Sequence, residues 1–99
     1  MKVVFSDAAK SDLTAIGNYI AEDNPHRALS FVKELHTATL ALGDTPRAYP
    51  LIPRYENHGL RRRPIGNYSV FYQVETDRVL IVHILHAARD YERLLFPVP

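Results

Sequence analysis

Residues 60–86 decide the fold: Leu60-Arg61-Arg62-Arg63-Pro64-Ile65-Gly66-Asn67-Tyr68-Ser69-Val70-Phe71-Tyr72-Gln73-Val74-Glu75-Thr76-Asp77-Arg78-Val79-Leu80-Ile81-Val82-His83-Ile84-Leu85-His86. From Tyr68 the pattern has a period of two, with Tyr68, Val70, Tyr72 and Val74 on one face and Ser69, Phe71, Gln73 and Glu75 on the other. Gly66-Asn67 is a tight-turn pair and Thr76-Asp77 marks a second turn. Leu60 to Ile65 is a strand candidate, and Pro64 assigns it to a sheet edge or to an irregular end. Arg78 to His86 is apolar on both faces, which predicts a central, buried strand. Three strands joined by short turns form an antiparallel meander.

Toward the N-terminus the period changes to 3.6. Lys2 to Phe5 is a short β-rich opening, and Ser6 is a helix N-cap with Asp7 in the first turn. Ala9, Leu13, Ile16 and Ile20 fall on one helical face, with Tyr19 beside them and Gly17 weakening the helix slightly. Asn24-Pro25 is a second cap followed by proline at the first helical position. Ala28, Val32, Leu35, Thr39 and Leu42 continue the pattern, flanked by Leu29 and Leu40, and Gly43 is a stop. So short a break predicts an antiparallel helical hairpin. Asp44 to Asn57, carrying Pro46, Pro50 and Pro53, reads as an extended loop. Ala87 to Phe96 is a short helix candidate ended by Pro97. The expected fold is α+β, in the order β-α-α-β-β-β. An N-terminal strand leads into an antiparallel helical hairpin packed on an antiparallel sheet, and a short C-terminal helix follows. Residues 1–99 are expected to form one domain.

Composition bounds the function. An apolar fraction of 46% and a charged fraction of 23% are those of an ordinary globular protein. With no cysteine, disulfides and thiolate metal sites are excluded. No apolar run is long enough for a signal peptide or a membrane span, so a cytoplasmic protein that does not engage a membrane is expected. The net charge of +1 is unevenly placed. Residues 1–50 hold five Lys or Arg against six acids, whereas residues 51–99 hold seven Arg against five acids. Arginine suits bidentate recognition of phosphate or carboxylate.

Three clusters carry possible chemistry. Arg61 and Arg63 share one face of a strand, about 7 Å apart, and Arg62 takes the other. The pair could straddle a phosphate backbone, hold a carboxylate-rich peptide, or guard an exposed edge against aggregation. Tyr68 and Tyr72 on an open sheet face could stack on nucleobases, or simply pack. His83, His86, Arg89, Asp90 and Tyr91 form the third cluster. A histidine there could act as acid or base, but His83 and His86 face opposite sides, which argues against a metal pair. Arg89-Asp90 reads as an ion pair or a helix cap. No glycine-rich phosphate loop, nucleophile elbow or metal-ligand spacing is present, and no metal or cofactor is expected.

The run from Val79 to Asp90 resembles the last strand of ParE toxins in the RelE/ParE superfamily. Ser6-Asp7-Ala8-Ala9 with Leu13 and Tyr19-Ile20-Ala21 is similar to the family's first helix. Asn24-Pro25 with Ala28 is similar to its hairpin break. Gly59-Leu60-Arg61, Pro64-Ile65-Gly66-Asn67-Tyr68 and Phe71-Tyr72 are similar to its central strands. The resemblance implies the toxin of a type II toxin–antitoxin system, with a cognate antitoxin whose amphipathic tail lies across hairpin and sheet. Its ParE branch implies a poison of DNA gyrase, and its RelE branch a ribosome-dependent mRNA endonuclease.

The ParE pattern fits better throughout, apart from His83, where arginine is common in that branch. On the gyrase reading the target-binding residues would be Arg61, Arg63, Tyr68, Tyr72, His86 and Arg89. The antitoxin would meet Leu29, Val32, Leu40, Arg61 and Tyr72. On the ribonuclease reading Arg61, Arg63, His83 and Tyr91 would be catalytic. A third reading is a harmless toxin-fold protein that only binds its partner.

Overall fold

A computed structural model describes residues 1–98. The elements are β1 (Lys2–Phe5), α1 (Asp7–Ala21), α2 (Pro25–Leu40), β2 (Leu60–Ile65), β3 (Tyr68–Val74), β4 (Arg78–His86) and α3 (Tyr91–Leu95). The four strands form one sheet in the order β1-β4-β3-β2. The meander β2-β3-β4 is antiparallel, as its short turns require, and β1 joins β4 in parallel. Gly66 has φ 57° while Asn67 is not among the positive-φ residues, the pattern of a type II′ hairpin turn.

The helix signals act as read. Ser6 Oγ accepts from Ala9 N at 3.0 Å and donates to the Val82 carbonyl at 2.8 Å, so the cap of α1 is also tied to the sheet. Asn24 Oδ1 accepts from Arg27 N at 3.0 Å, with Pro25 opening α2. The stop falls earlier than Gly43: α2 ends at Leu40 and tightens into a 3-10 turn, Ala41–Gly43, that buries Leu42 completely. Glycine is needed there for space. A Cβ on Gly43 would lie 2.3 Å from the Met1 carbonyl oxygen.

Both sheet faces are covered. The hairpin packs Ala9, Ile16, Phe31, Leu35 and Leu42 onto Tyr68, Val70, Tyr72, Val79, Ile81 and Ile84. On the opposite face Phe71, Leu60 and Leu85 form a second core with Ile52 and Phe96. The segment between α2 and β2 is less extended than its prolines suggest. Leu51 bridges Arg61 along the outer edge of β2, and a 3-10 turn forms at Glu56–His58. Pro64 therefore sits in an edge strand whose open side the loop partly closes. The last helix is shorter than expected, Tyr91–Leu95, with Asp90 as its N-cap.

β4 outruns its parallel partner. β1 pairs with Arg78 to Ile81 and stops. Just beyond, a β-bulge shifts the register, so Tyr72 faces Ile81 while Phe71 faces His83, leaving Val82 unpaired. The extra residue places Ile84 on the hairpin face with Ile81. Asp12 of α1 fills the gap on the open side, where one carboxylate oxygen accepts from Ile84 N at 2.9 Å and lies 2.8 Å from His83 Nδ1. Asp12→Ala should destabilise the chain by about 1–3 kcal/mol, because a half-buried backbone N–H then loses its acceptor. His83→Gln should cost less, since it spares that bond. Urea unfolding of both variants measures the difference, and equal losses would contradict the role given to Ile84 N–H.

Candidate functional site

The three consecutive arginines of β2 divide between the two faces of the sheet. Arg61 and Arg63 stand opposite Tyr72 and Val70, on the hairpin side. Arg61 Nη1 donates to the Tyr49 carbonyl at 2.6 Å, and Arg63 Nη1 donates to the Ala38 carbonyl at 3.0 Å. Ala38 lies in the last turn of α2, where unpaired carbonyls concentrate partial negative charge. Arg63 also lies over the Tyr49 ring, 5.1 Å from its centroid. These two cations clasp the loop and the end of α2 to the sheet, and neither points outward to straddle a phosphate backbone.

Arg62 is the arginine left for the other face. It stands opposite Phe71, its Nε donates to Ser69 Oγ at 2.9 Å, and its guanidinium lies 5.7 Å from the Tyr91 ring centroid. Its two terminal nitrogens have no hydrogen-bond partner among the described residues. They border a cleft of about 210 Å³ that Tyr49, Pro50, Pro53, Pro64 and Tyr91 also line. The signal for Arg62 was available in the sequence: a two-residue turn at Gly66-Asn67 pairs Ile65 with Tyr68, and counting back pairs Arg62 with Phe71.

The tyrosine expectation is corrected. Tyr68 and Tyr72 face the hairpin, not an open sheet, because α1 and α2 cover that side. Tyr72 is 0% exposed and its hydroxyl donates to the Pro46 carbonyl at 2.9 Å, leaving no ring face for a base or a partner. Tyr68 reaches solvent only at its edge and packs against Phe31 and His86. The third cluster separates. His83 is engaged by Asp12 at the β4 edge, and Tyr91 packs on Phe71 in the second core. Arg61 and Arg63 are two strands away from β4 and on the hairpin side. His86, the last residue of β4, and Arg89, just beyond it, are exposed. Among the described residues no group of three His, Asp or Glu is arranged to hold a metal ion.

Of the apolar residues read as partner surface, Leu29 is 77% exposed and Leu40 45%. Both lie on the solvent side of α2. Val32 is turned inward, and its Cγ2 would be 3.3 Å from a Cβ on Gly17 of α1. Leu42 belongs to the core. No helix is long and apolar enough to cross a membrane among the described residues.

Burial raises the Tyr72 phenol above its ordinary value of 10.0, with the nearby Arg61 charge opposing part of the effect. Tyr68 is raised by burial first and by Tyr19 second. A phenol raised in the folded state is neutral in both states below pH 10, so its contribution is fully present there. Stability is then lost as pH rises from about 10, where the unfolded chain ionises first, through the folded value. Melting temperatures between pH 8 and 11.5 should fall more steeply for the native chain than for Tyr72→Phe. At neutral pH that variant should cost about 1 kcal/mol for the hydroxyl bond to Pro46.

Comparison with known proteins gives one family. A family model for the ParE toxin of type II toxin–antitoxin systems, parDE, matches residues 3–91. Among solved structures, a chain from the chromosomal ParDE system of P. aeruginosa superposes with a TM-score of 0.74 at 21% identity, covering 87% of this chain and 95% of that one. A chain from the RelBE2 toxin–antitoxin complex of Mycobacterium tuberculosis gives 0.56 at 22% identity, covering 86% and 95%. One from the RelB–RelE complex of Methanococcus jannaschii gives 0.50 at 21%, covering 97% and 99%. At these identities the structural matches establish a shared fold. No curated protein sequence matches the chain. By the family match over residues 3–91, the chain belongs to the ParE toxin family of type II toxin–antitoxin systems.

Proposed function

We propose that this toxin acts in the cytoplasm by binding DNA gyrase and blocking it, and that a cognate antitoxin holds it in check. The observation that carries binding over cleavage is the dispersal of the residues a ribonuclease would need. Cleaving RNA through the 2′-hydroxyl needs a base, an acid and cations gathered around one phosphate. Arg61 and Arg63 are instead spent on the Tyr49 and Ala38 carbonyls, His83 on Asp12, and Tyr91 packs behind the sheet. Arg62, Tyr91 and the surrounding prolines form an arginine-bearing surface that suits an acidic partner without demanding catalysis.

Purified toxin should inhibit supercoiling by purified gyrase, and Arg62→Gln, whose amide can still donate to Ser69 Oγ, should weaken that inhibition while leaving the melting temperature close to that of the native chain. Undiminished supercoiling, together with codon-linked mRNA cuts that vanish in His83→Ala, would replace this reading with the ribonuclease one. Unimpaired growth on induction of the toxin alone would support the harmless toxin-fold protein.

For the antitoxin, support comes from the solvent side of α2, where Leu29 and Leu40 are exposed with Lys33 between them. An amphipathic segment could bury both leucines, each contributing about 1.5–3 kcal/mol when fully covered. Leu29→Asp with Leu40→Asp should weaken capture of the product of the adjacent reading frame by at least about tenfold. The fold should be unchanged, because neither side chain contributes to either core. Isothermal titration of the two purified proteins is the measurement, and unchanged affinity would place the antitoxin elsewhere.

A further inference from the structure

Beyond the end of β1, the open edge of β4 and the side of α1 enclose a groove of about 460 Å³. Ala15, Ile16, Ile84 and Leu85 supply its apolar lining. Tyr19, Tyr68, His86 and Arg89 supply its polar groups. This groove lies apart from the α2 ridge and from the Arg62 cleft.

Two backbone groups open onto it. Ala87 N donates to Asn67 O at 2.7 Å, so residue 87 bonds toward β3. Ile84 N points the other way, to Asp12. Backbone groups two residues apart along a strand point the same way, so His86 N–H and the Ile84 carbonyl also face away from β3. β1 has already ended at Phe5, opposite Ile81, and Asp12 takes only the Ile84 N–H. One rung of a β-ladder is therefore unoccupied, at a depth where an edge normally continues.

The polar rim has a definite sign. His86 Nδ1 accepts from Ala88 N at 3.1 Å, which fixes Nε2 as a donor. Arg89 makes no ion pair with any carboxylate among the described residues. Tyr19 is 67% exposed. Neither its phenol nor that of Tyr68 has a hydrogen-bond partner among the described residues. Four groups able to donate thus surround a short apolar floor, while Asp12 lines the inner end with its Oδ2 held by Ile84 N and His83 Nδ1.

We propose that this groove receives an extended polypeptide segment of a partner protein. The segment adds one short strand to β4 in the space that β1 leaves. It accepts from His86 N–H, donates to the Ile84 carbonyl, rests an apolar side chain on Ile16 and Ala15, and delivers a carboxylate to Arg89. Main-chain bonds would supply affinity and the carboxylate register, the usual division of labour when a peptide extends a sheet. The assignment depends neither on gyrase as the target nor on an antitoxin on α2.

The probe is a blocked hexapeptide of alternating valine and threonine ending in aspartate, titrated into ¹⁵N-labelled native chain. Amide shifts should concentrate at Asp12, Ala15, Tyr19, His86 and Arg89. Binding should weaken about tenfold when asparagine replaces the aspartate or when Arg89→Gln is used. It should disappear when the peptide's backbone amides are N-methylated. Ala15→Glu, a substitution on the helix surface that fills the groove and repels a carboxylate, should also abolish it while the rest of the spectrum keeps its folded dispersion. Overturning results are no shift at His86, equal binding by the N-methylated peptide, or stronger binding by decanoate than by the peptide. The last would mean that the groove takes a carboxylate-bearing amphiphile and builds no strand.

Discussion

The parallel pairing of β1 with β4 is the constraint on which the rest of this fold depends. It makes β4 a strand with neighbours on both edges and cover on both faces. It also places the helical hairpin, which follows β1 directly, across one face of the sheet. The other face must then be covered by what remains, namely the proline-bearing loop and α3. Ile52 of the loop and Phe96, the residue that ends α3, close on Phe71 from segments before and after it in the chain. In a chain of 99 residues, with little surface to spare for burial, both layers are needed.

The same pairing explains the irregularities. β1 is four residues long and β4 nine, so a stretch of β4 has no strand beside it. Three devices answer the mismatch: Ser6 Oγ donates to Val82 O, the bulge turns Ile84 inward, and Asp12 accepts from Ile84 N. Two of the three draw on α1 or its cap, and the bulge belongs to the β3–β4 ladder itself. The edge is closed by the helix that also forms the core, and its closure stops short of His86. Surface left uncovered on this fold therefore remains where the short strand runs out and where the outer side of α2 has nothing to pack on.

Much of the architecture was legible because it rests on local rules. Ser6 and Asn24 cap helices wherever an apolar stripe follows, and Gly66-Asn67 closes a hairpin with little regard to its surroundings. The double-sided apolar run from Val79 to Leu85 announced a central strand. The site was less legible. Period two places Arg61 and Arg63 together, but it does not say which sheet face meets the helices. Of the two readings open for the tyrosines of β3, stacking needed an open face that the hairpin in fact covers, and packing is what the fold shows; nothing local distinguishes Arg62, on the opposite side, from its two neighbours.

The sequence by itself determined the order of elements, the caps, the meander and the asymmetry of charge, because each is set by neighbours within a few residues. Tertiary structure alone decided which cations are free. Arg61 and Arg63 found carbonyls from segments 12 and 25 residues away, and His83 found a carboxylate 71 residues away. A guanidinium is available to a partner only when no carbonyl or carboxylate of its own chain reaches it first. That competition is settled by the packing of the hairpin and loop against the sheet, which no periodicity in the chain records.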